Sequence, residues 1–288
     1  MSIDYQRPSD LAKQYHSITF YSDWYTKGYN TWDDFHLVPT SRPVFKLPGM
    51  KENYVDIPGA DGRIDLSETL TGYPVFNNRE GDIEFIVMND YDGSWHNRYM
   101  KLANFLHGNN LKAVLNDDPG YYYQGRFTLG DWNSDSDESA TWSKVTIHYN
   151  VQPYKLELVT STGDWLWDPF DFETGVIKSM IFKSVIVNKD HSGSWNNAEF
   201  ITFRNNIGYY QDSIGPKPAT PKIIVSGCGN GEYISVQSYD FYTATWSEPI
   251  KYYNGTDTDG DLVLSRRTSM LRLTGHGIIS FEFRPGSF

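Results

Sequence analysis

The sequence predicts an all-β protein carrying one helix and divided into two domains, and three observations carry that reading. Short apolar runs recur between turn residues along the whole chain. Aromatic residues make up 16% of it, with 21 Tyr and 9 Trp, a composition that favours strands and also protein interfaces. Only one stretch, Trp95 to His107, places apolar residues at helical spacing. The 288 residues suit one large domain or two ordinary ones, at ~100–200 residues each.

Residues 16–20 read as a first strand, and Gly28 to His36 as a loop. Pro39 and Pro43 remove backbone donors from the segment 38–44, which therefore suits a sheet edge or an extended arm. From Tyr54 to Val87 the chain alternates apolar runs with shaped turns. Val55 and Ile57 enter a tight reversal at Pro58-Gly59-Ala60-Asp61-Gly62, and Ile64 and Leu66 leave it. Thr71 to Pro74 and Asn77 to Gly81 are two further reversals, after which Ile83, Phe85 and Val87 share one strand face. A polar segment shaped by Gly and Pro, with no catalytic motif, suits a surface that fits another protein.

Ser94 can cap the helix; Trp95, Tyr99, Leu102 and Leu106 form its apolar stripe, and Gly108 ends it. That stripe is expected to lie on the protein's own sheet. Leu111–Leu115 is a strand, Asn116 to Gly120 a turn, and Tyr121–Leu129 an aromatic strand with Gly125 as a candidate bulge. An acidic, Ser-rich loop spans residues 131–138, and Val145, Ile147 and Tyr149 alternate along the next strand.

The chain then changes character. The expected division is a first domain over 1–160, a linker over 161–175 and a second domain over 176–288. Seven short strands are expected in the second half: Ile181–Val187, Glu199–Phe203, Lys222–Val225, Tyr233–Val236, Asp261–Leu264, Met270–Leu273 and Ile278–Phe283. Short strands between Gly, Asn and Asp turns argue for a β-sandwich.

Charge and motif exclude several function classes. Net charge is −11 with no basic stripe, which disfavours nucleic-acid binding by phosphate neutralisation. Cys228 is the one cysteine, so no intrachain disulfide forms, as suits folding in a reducing cytoplasm. The first 16 residues carry Asp4, Arg7 and Asp10 and no apolar core, so no signal peptide is expected. No apolar run reaches the ~18 residues of a membrane span.

Asp56, Asp61, Asp65 and Glu68 crowd one segment, where they serve either glycoside hydrolysis or turn formation. No nucleophile motif accompanies them, which favours turns. Asp257, Asp259 and Asp261 have the form of a calcium loop, but Gly260 is misplaced and Thr268 stands where the closing Glu belongs. His36, His96 and His107 lack zinc-ligand spacing. The expectation is a non-enzymatic protein with no catalytic, metal or cofactor residues. Trp165, Trp167, Trp195 and Trp246 suit either a core or a sugar-stacking face, and Trp195 and Trp246 are the candidate glycan contacts.

Several pieces together resemble the distal tail (Dit) proteins of long-tailed phages, especially those infecting Gram-positive bacteria. They are Asn30 to Leu37, Ser41-Arg42-Pro43, Val55 to Gly62, Leu66 to Gly72, the Trp95–Gly108 helix, Tyr121 to Phe127, Pro153-Tyr154-Lys155 and the segment WLWDPFDFETG over 165–175. The resemblance covers residues 15–175 and weakens beyond. It implies a structural protein of the virion tail tip, made in the host cytoplasm. Its N-terminal β-sandwich or barrel-like domain forms a hexameric ring between the tail tube protein and the tail-associated hub or lysin. The galectin-like second domain points outward, where it holds receptor-binding proteins. Candidate ring contacts are Trp32, His36, Arg42, Pro43, Asp61 and Arg63, with Arg42 suited either to a carboxylate on the neighbour or to a local ion pair. The alternatives are a carbohydrate-binding adhesin and, third, a glycoside hydrolase.

Overall fold

The computed structural model describes residues 9–23, 27–59, 61–88, 95–134, 142–158, 170–171, 176–177, 185–187, 198–203, 217–264, 269–284 and 286–288. The chain divides into two compact units: residues 1–155 with Phe288, and residues 156–287.

In the first unit, α1 (Asp10–Gln14) precedes β1 (Ile18–Tyr21), β2 (Tyr29–Asn30), β3 (Leu37–Pro39), β4 (Tyr54–Asp56), β5 (Arg63–Asp65) and β6 (Arg79–Met88). Helix α2 (Trp95–Leu106) leads to β7 (Asn110–Leu115), β8 (Tyr121–Ser134) and β9 (Trp142–Val151). Seven strands pair in the order β2-β1-β7-β8-β9-β6-β3, and β4 and β5 form a separate two-stranded ribbon. Alternation decides which face is inside. Ile83, Phe85 and Val87 of β6 are buried while Glu80, Asp82 and Glu84 are exposed. The antiparallel register sets Ile83 beside Ile147 and Phe85 beside Val145, so β9 turns its own apolar set the same way. Helix α2 adds Leu102 and Leu106 to this core, among Phe20, Phe35 and Phe127. Gly108 ends α2 at φ +76°, and its N–H donates to the Phe127 carbonyl at 2.7 Å. Pro39 lies in the edge strand β3, where a missing donor is tolerated.

Besides β2, which takes Tyr29 and Asn30 from the loop expected over Gly28 to His36, and β8, which runs on to Ser134 within the loop expected over 131–138, two details of the first unit differ from expectation. Gly125 makes no bulge: it pairs regularly with Val151, and a Cβ there would lie 2.2 Å from the Asn150 carbonyl oxygen. Close backbone approach, not irregular pairing, requires glycine there. The register shift falls instead between Leu129 and Trp132. The second difference is α1, which has only five residues, too few for a period to show. Its N-cap is Ser9, whose hydroxyl accepts from Ala12 N–H at 3.0 Å.

The chain passes through β10 (Lys155–Glu157) into the second unit. There follow β11 (Phe170–Asp171), β12 (Val176–Ile177), β13 (Val185–Val187), β14 (Ala198–Phe203), β15 (Lys222–Ser226), β16 (Ile234–Asp240), β17 (Thr245–Trp246), β18 (Ile250–Tyr252), β19 (Gly255–Asp257), β20 (Ser269–Gly275), β21 (Gly277–Glu282) and β22 (Gly286–Ser287). One sheet runs β13-β21-β15-β19 and another β14-β20-β16-β17, with β18 also on β16. Both contribute to one core, with Val187, Ile223, Val225, Ile279 and Phe281 from the first and Ile201, Phe203, Val236, Leu271 and Leu273 from the second. The result is an antiparallel sandwich.

Asp261–Leu264, expected as a strand, makes only a bridge between Leu264 and Ala219. Strands form instead at β17, β18 and β19, whose two or three residues are too short to alternate visibly. Asn254 is a clamp on Cys228: its side chain accepts from the Cys228 N–H at 3.0 Å and donates to the Cys228 carbonyl at 2.8 Å. Cys228 is buried in the sandwich core, which pushes its thiol pKa up.

Candidate functional site: an assembly surface on the first unit

Residues 40–78 leave the sheet after the edge strand β3 and return at β6. The root of this excursion is tied firmly to the core. Phe45 is buried, with its ring 4.2 Å from Tyr123 and 4.7 Å from Tyr149. Pro43 is buried beside it. Lys46 N–H donates to the Tyr149 hydroxyl at 3.0 Å. Arg79, only 2% exposed, donates from Nε to the Pro153 carbonyl and from Nη1 to those of Phe45 and Lys46. Its guanidinium also lies 5.2 Å from the Tyr123 ring centroid. A buried charge is costly unless its donors find acceptors, so these carbonyls hold the root in place. Beside the root, Lys46, Lys51, Phe76, Asn78 and Glu80 line a cleft of about 700 Å³.

Beyond the root the excursion is an antiparallel arm. Lys51 N–H donates to Val75 O, and Asn77 N–H to Gly49 O. Further out, Asn53 accepts from Leu66 N–H before the β4–β5 ribbon begins. The ribbon pairs Tyr54 with Asp65, Val55 with Ile64 and Asp56 with Arg63. Gly59 and Gly62, at φ +84° and +79°, turn its tip. All described residues from 51 to 72 are exposed except Ser67.

The ribbon is two-faced. Strand alternation puts Val55 and Ile64 on one side, and Ile57 and Leu66 continue that side at the flanks. Tyr54, Asp56, Arg63 and Asp65 occupy the other, where Arg63 Nε meets Asp56 Oδ1 at 2.9 Å. The four aliphatic side chains are 37–46% exposed, and Leu70 on the following turn is 99% exposed. A lone two-stranded ribbon is marginal in water, and an uncovered aliphatic face on one is a candidate contact surface.

The sequence-predicted residues fall into three places. Trp32 and His36 belong to the turn after β2. Asn30 Oδ1 caps that turn by accepting from Trp32 and Asp33 N–H. Trp32 is half-buried against Tyr15, ring centroids 4.4 Å apart, and stands edge-on to His36 at 5.5 Å. His36 closes the turn at φ +53°, and burial, with the Arg98 charge second, pushes its imidazole below the ordinary value of 6.5. Arg42 stands at the start of the excursion and pairs within its own chain: Nε lies 3.1 Å from Asp117 Oδ2, and His16 takes the other oxygen at 2.8 Å. Asp61 and Arg63 are exposed at the ribbon tip.

Two of the crowded carboxylates serve the ribbon and its following turn: Asp56 holds Arg63, and Asp65 accepts from Ser67 N–H at 2.9 Å. The Ser67 hydrogen bonds hold the Asp65 carboxyl below the usual range. Among the described residues no helix is long and apolar enough to cross a membrane. Trp246 lies on the second unit, and Trp195 lies outside the described residues. What sequence reasoning missed is the full exposure of Leu70 within the turn that follows the ribbon. A lone apolar residue in a turn has no period to announce it.

Comparison of the whole fold supplies the decisive likeness. The chain superposes on the Dit protein (gp 19.1) of phage SPP1 with a TM-score of 0.54 over 93% of its length and 98% of that chain, at 16% identity. The fold is that of a distal tail protein. SPP1 Dit is described as a paradigm of the hub adsorption apparatus in phages infecting Gram-positive bacteria. Two chains of the phage p2 baseplate in its activated conformation align at 11% identity over 93% and 95% of this chain, with TM-scores of 0.34 and 0.37, too low to establish a common fold. No family model and no curated protein matches the sequence. The Dit fold therefore persists here where sequence similarity is slight.

Proposed function

We propose that the chain is a non-enzymatic structural component of a phage tail tip. It assembles through its first unit into a hexameric ring joining the tail tube to the tail-associated hub. The single observation that carries this reading is the ribbon over 54–66, whose aliphatic face is uncovered on its own subunit. A ring closes by heterologous contact, one surface meeting a different one on the neighbour. An arm rooted by Phe45 and Arg79 and open at its tip suits such a contact. Of the predicted contact residues, Asp61 and Arg63 stand on this arm. Trp32, His36, Arg42 and Pro43 act at its base or in the neighbouring turn. The DNA-facing side of such a ring gains from the net charge of −11, since carboxylates repel phosphate. On the same reading the sandwich unit is the one that takes receptor-binding proteins.

The test is native mass of the purified chain, alone and with the hub protein. A species at six times 33.1 kDa is expected. A monomer under both conditions overturns the ring.

A further inference from the structure

The second unit carries an exposed face of a different chemistry, and it does not depend on the ring. The sheet β14-β20-β16-β17 turns Ile201, Leu271, Leu273 and Val236 into the core. The alternate residues therefore face away from it. The register sets Phe200 beside Arg272, Arg272 beside Gln237, and Tyr239 beside Trp246. Trp246 reaches back across the sheet from β17. Its ring centroid lies 5.1 Å from that of Tyr239 and 5.9 Å from that of Phe200, and the Arg272 guanidinium lies 4.9 Å from it. Phe241, 57% exposed, extends the row at 5.0 Å from Tyr239.

This row is held rigid from beneath. Gln237 donates from Nε2 to the Ser247 carbonyl at 2.8 Å. Its Oε1 accepts from both Nε and Nη2 of Arg272. The guanidinium so fixed supports the indole by cation–π contact. Asp240 shapes the adjacent turn by accepting from Tyr242 N–H, and the hydroxyls of Thr243 and Thr245 stand 2.7 Å apart in that turn.

We propose that this face is a saccharide-binding site that takes neutral pyranose units of a polysaccharide. The argument is one of matched chemistry. A pyranose ring has an apolar C–H face and an equator of hydroxyls. It stacks on an aromatic face while fixed donors and acceptors at the edge take its hydroxyls. Trp246 and Phe200 provide the stacking surface, at a spacing comparable to the length of one sugar residue. The Arg272–Gln237 pair and the two threonines provide the polar edge. The Arg272 guanidinium is engaged by the Gln237 amide oxygen and lies against the indole, and the two stacking rings carry no charge, so the site suits a neutral sugar. The ribbon of the first unit makes the contrast: its face is aliphatic, with Val55, Ile57, Ile64 and Leu66, and offers no comparable set of fixed polar groups beside a ring. Rings framed by an anchored guanidinium, an amide and hydroxyls fit a sugar better than they fit an apolar protein surface.

The test uses the full chain on an array of neutral oligosaccharides and in native gels cast with a β-glucan, a galactomannan or starch. Binding to at least one of these is expected. Trp246→Ala and Phe200→Ala should each weaken it by about tenfold or more, with an unchanged thermal midpoint. Tyr253→Ala, in the separate Tyr233–Tyr253 pair, should leave it intact. Phe200 is 57% exposed, so its variant keeps the test sound if Trp246→Ala misfolds. Binding to none of the probes, or binding that survives both variants, overturns the assignment. So does a Trp246→Ala chain that loses a protein partner and retains the glycan.

Discussion

Replacing Val55 and Ile64 together by Asp tests the assembly surface most directly. The two side chains are neighbours in the ribbon register and are 43% and 46% exposed. With Ile57 and Leu66 they leave roughly 300 Å² of aliphatic surface open, worth roughly 7 kcal/mol if wholly covered at about 25 cal/mol per Å². The double variant forfeits about half of that, and the partner must also desolvate two carboxylates. Self-association should therefore weaken by at least about a hundredfold. The subunit itself should be little affected, because the replaced side chains lie on an exposed ribbon. The assay is sedimentation velocity over a concentration series, with the hub protein present and absent, beside a thermal melt of each chain. Assembly as tight as the parent's would refute the reasoning. A large drop in the melting temperature would refute it differently, by showing that the ribbon packs on its own subunit.

Two further outcomes follow from the root of the arm and its neighbouring turn. Phe45→Ala removes a ring that is 3% exposed among Tyr123, Tyr149 and Phe127, and should cost the first unit about 3–5 kcal/mol in denaturant unfolding; a loss within error of zero would show that the arm is not anchored there. His36 has its pKa lowered in the folded state, so the unfolded chain binds its proton more readily, and the His36 contribution is complete above pH 6.5 and declines as the pH falls below that value. His36→Asn retains a residue that tolerates positive φ and should flatten the fall of the thermal midpoint between pH 7.5 and 5; parallel curves for the two chains would contradict this.

Much of the candidate site was legible as chain chemistry. Pro58, Gly59 and Gly62 announced a tight reversal with Val55 and Ile57 before it and Ile64 and Leu66 after it, because turn geometry is a local property of the backbone. The same locality explains the strands: Ile83, Phe85 and Val87, and Val145, Ile147 and Tyr149, alternate and so declare a buried face. Arg79 was not legible as an anchor, since its acceptors Phe45, Lys46 and Pro153 lie at least 33 residues away. Arg42 gave no sign that its partner is Asp117.

By itself, then, the sequence determined the β-rich fold class, the position of helix α2, the reversals of the arm and the alternating core strands. Each depends on neighbours within a few residues, where propensity and period act. Only the tertiary structure decided that the aliphatic side of the ribbon is left open, that Gly125 serves a close backbone approach, and that Trp246 lies over Arg272 within reach of Phe200. Those are consequences of which distant segments meet, and a chain carries no local mark of a contact made across a sheet.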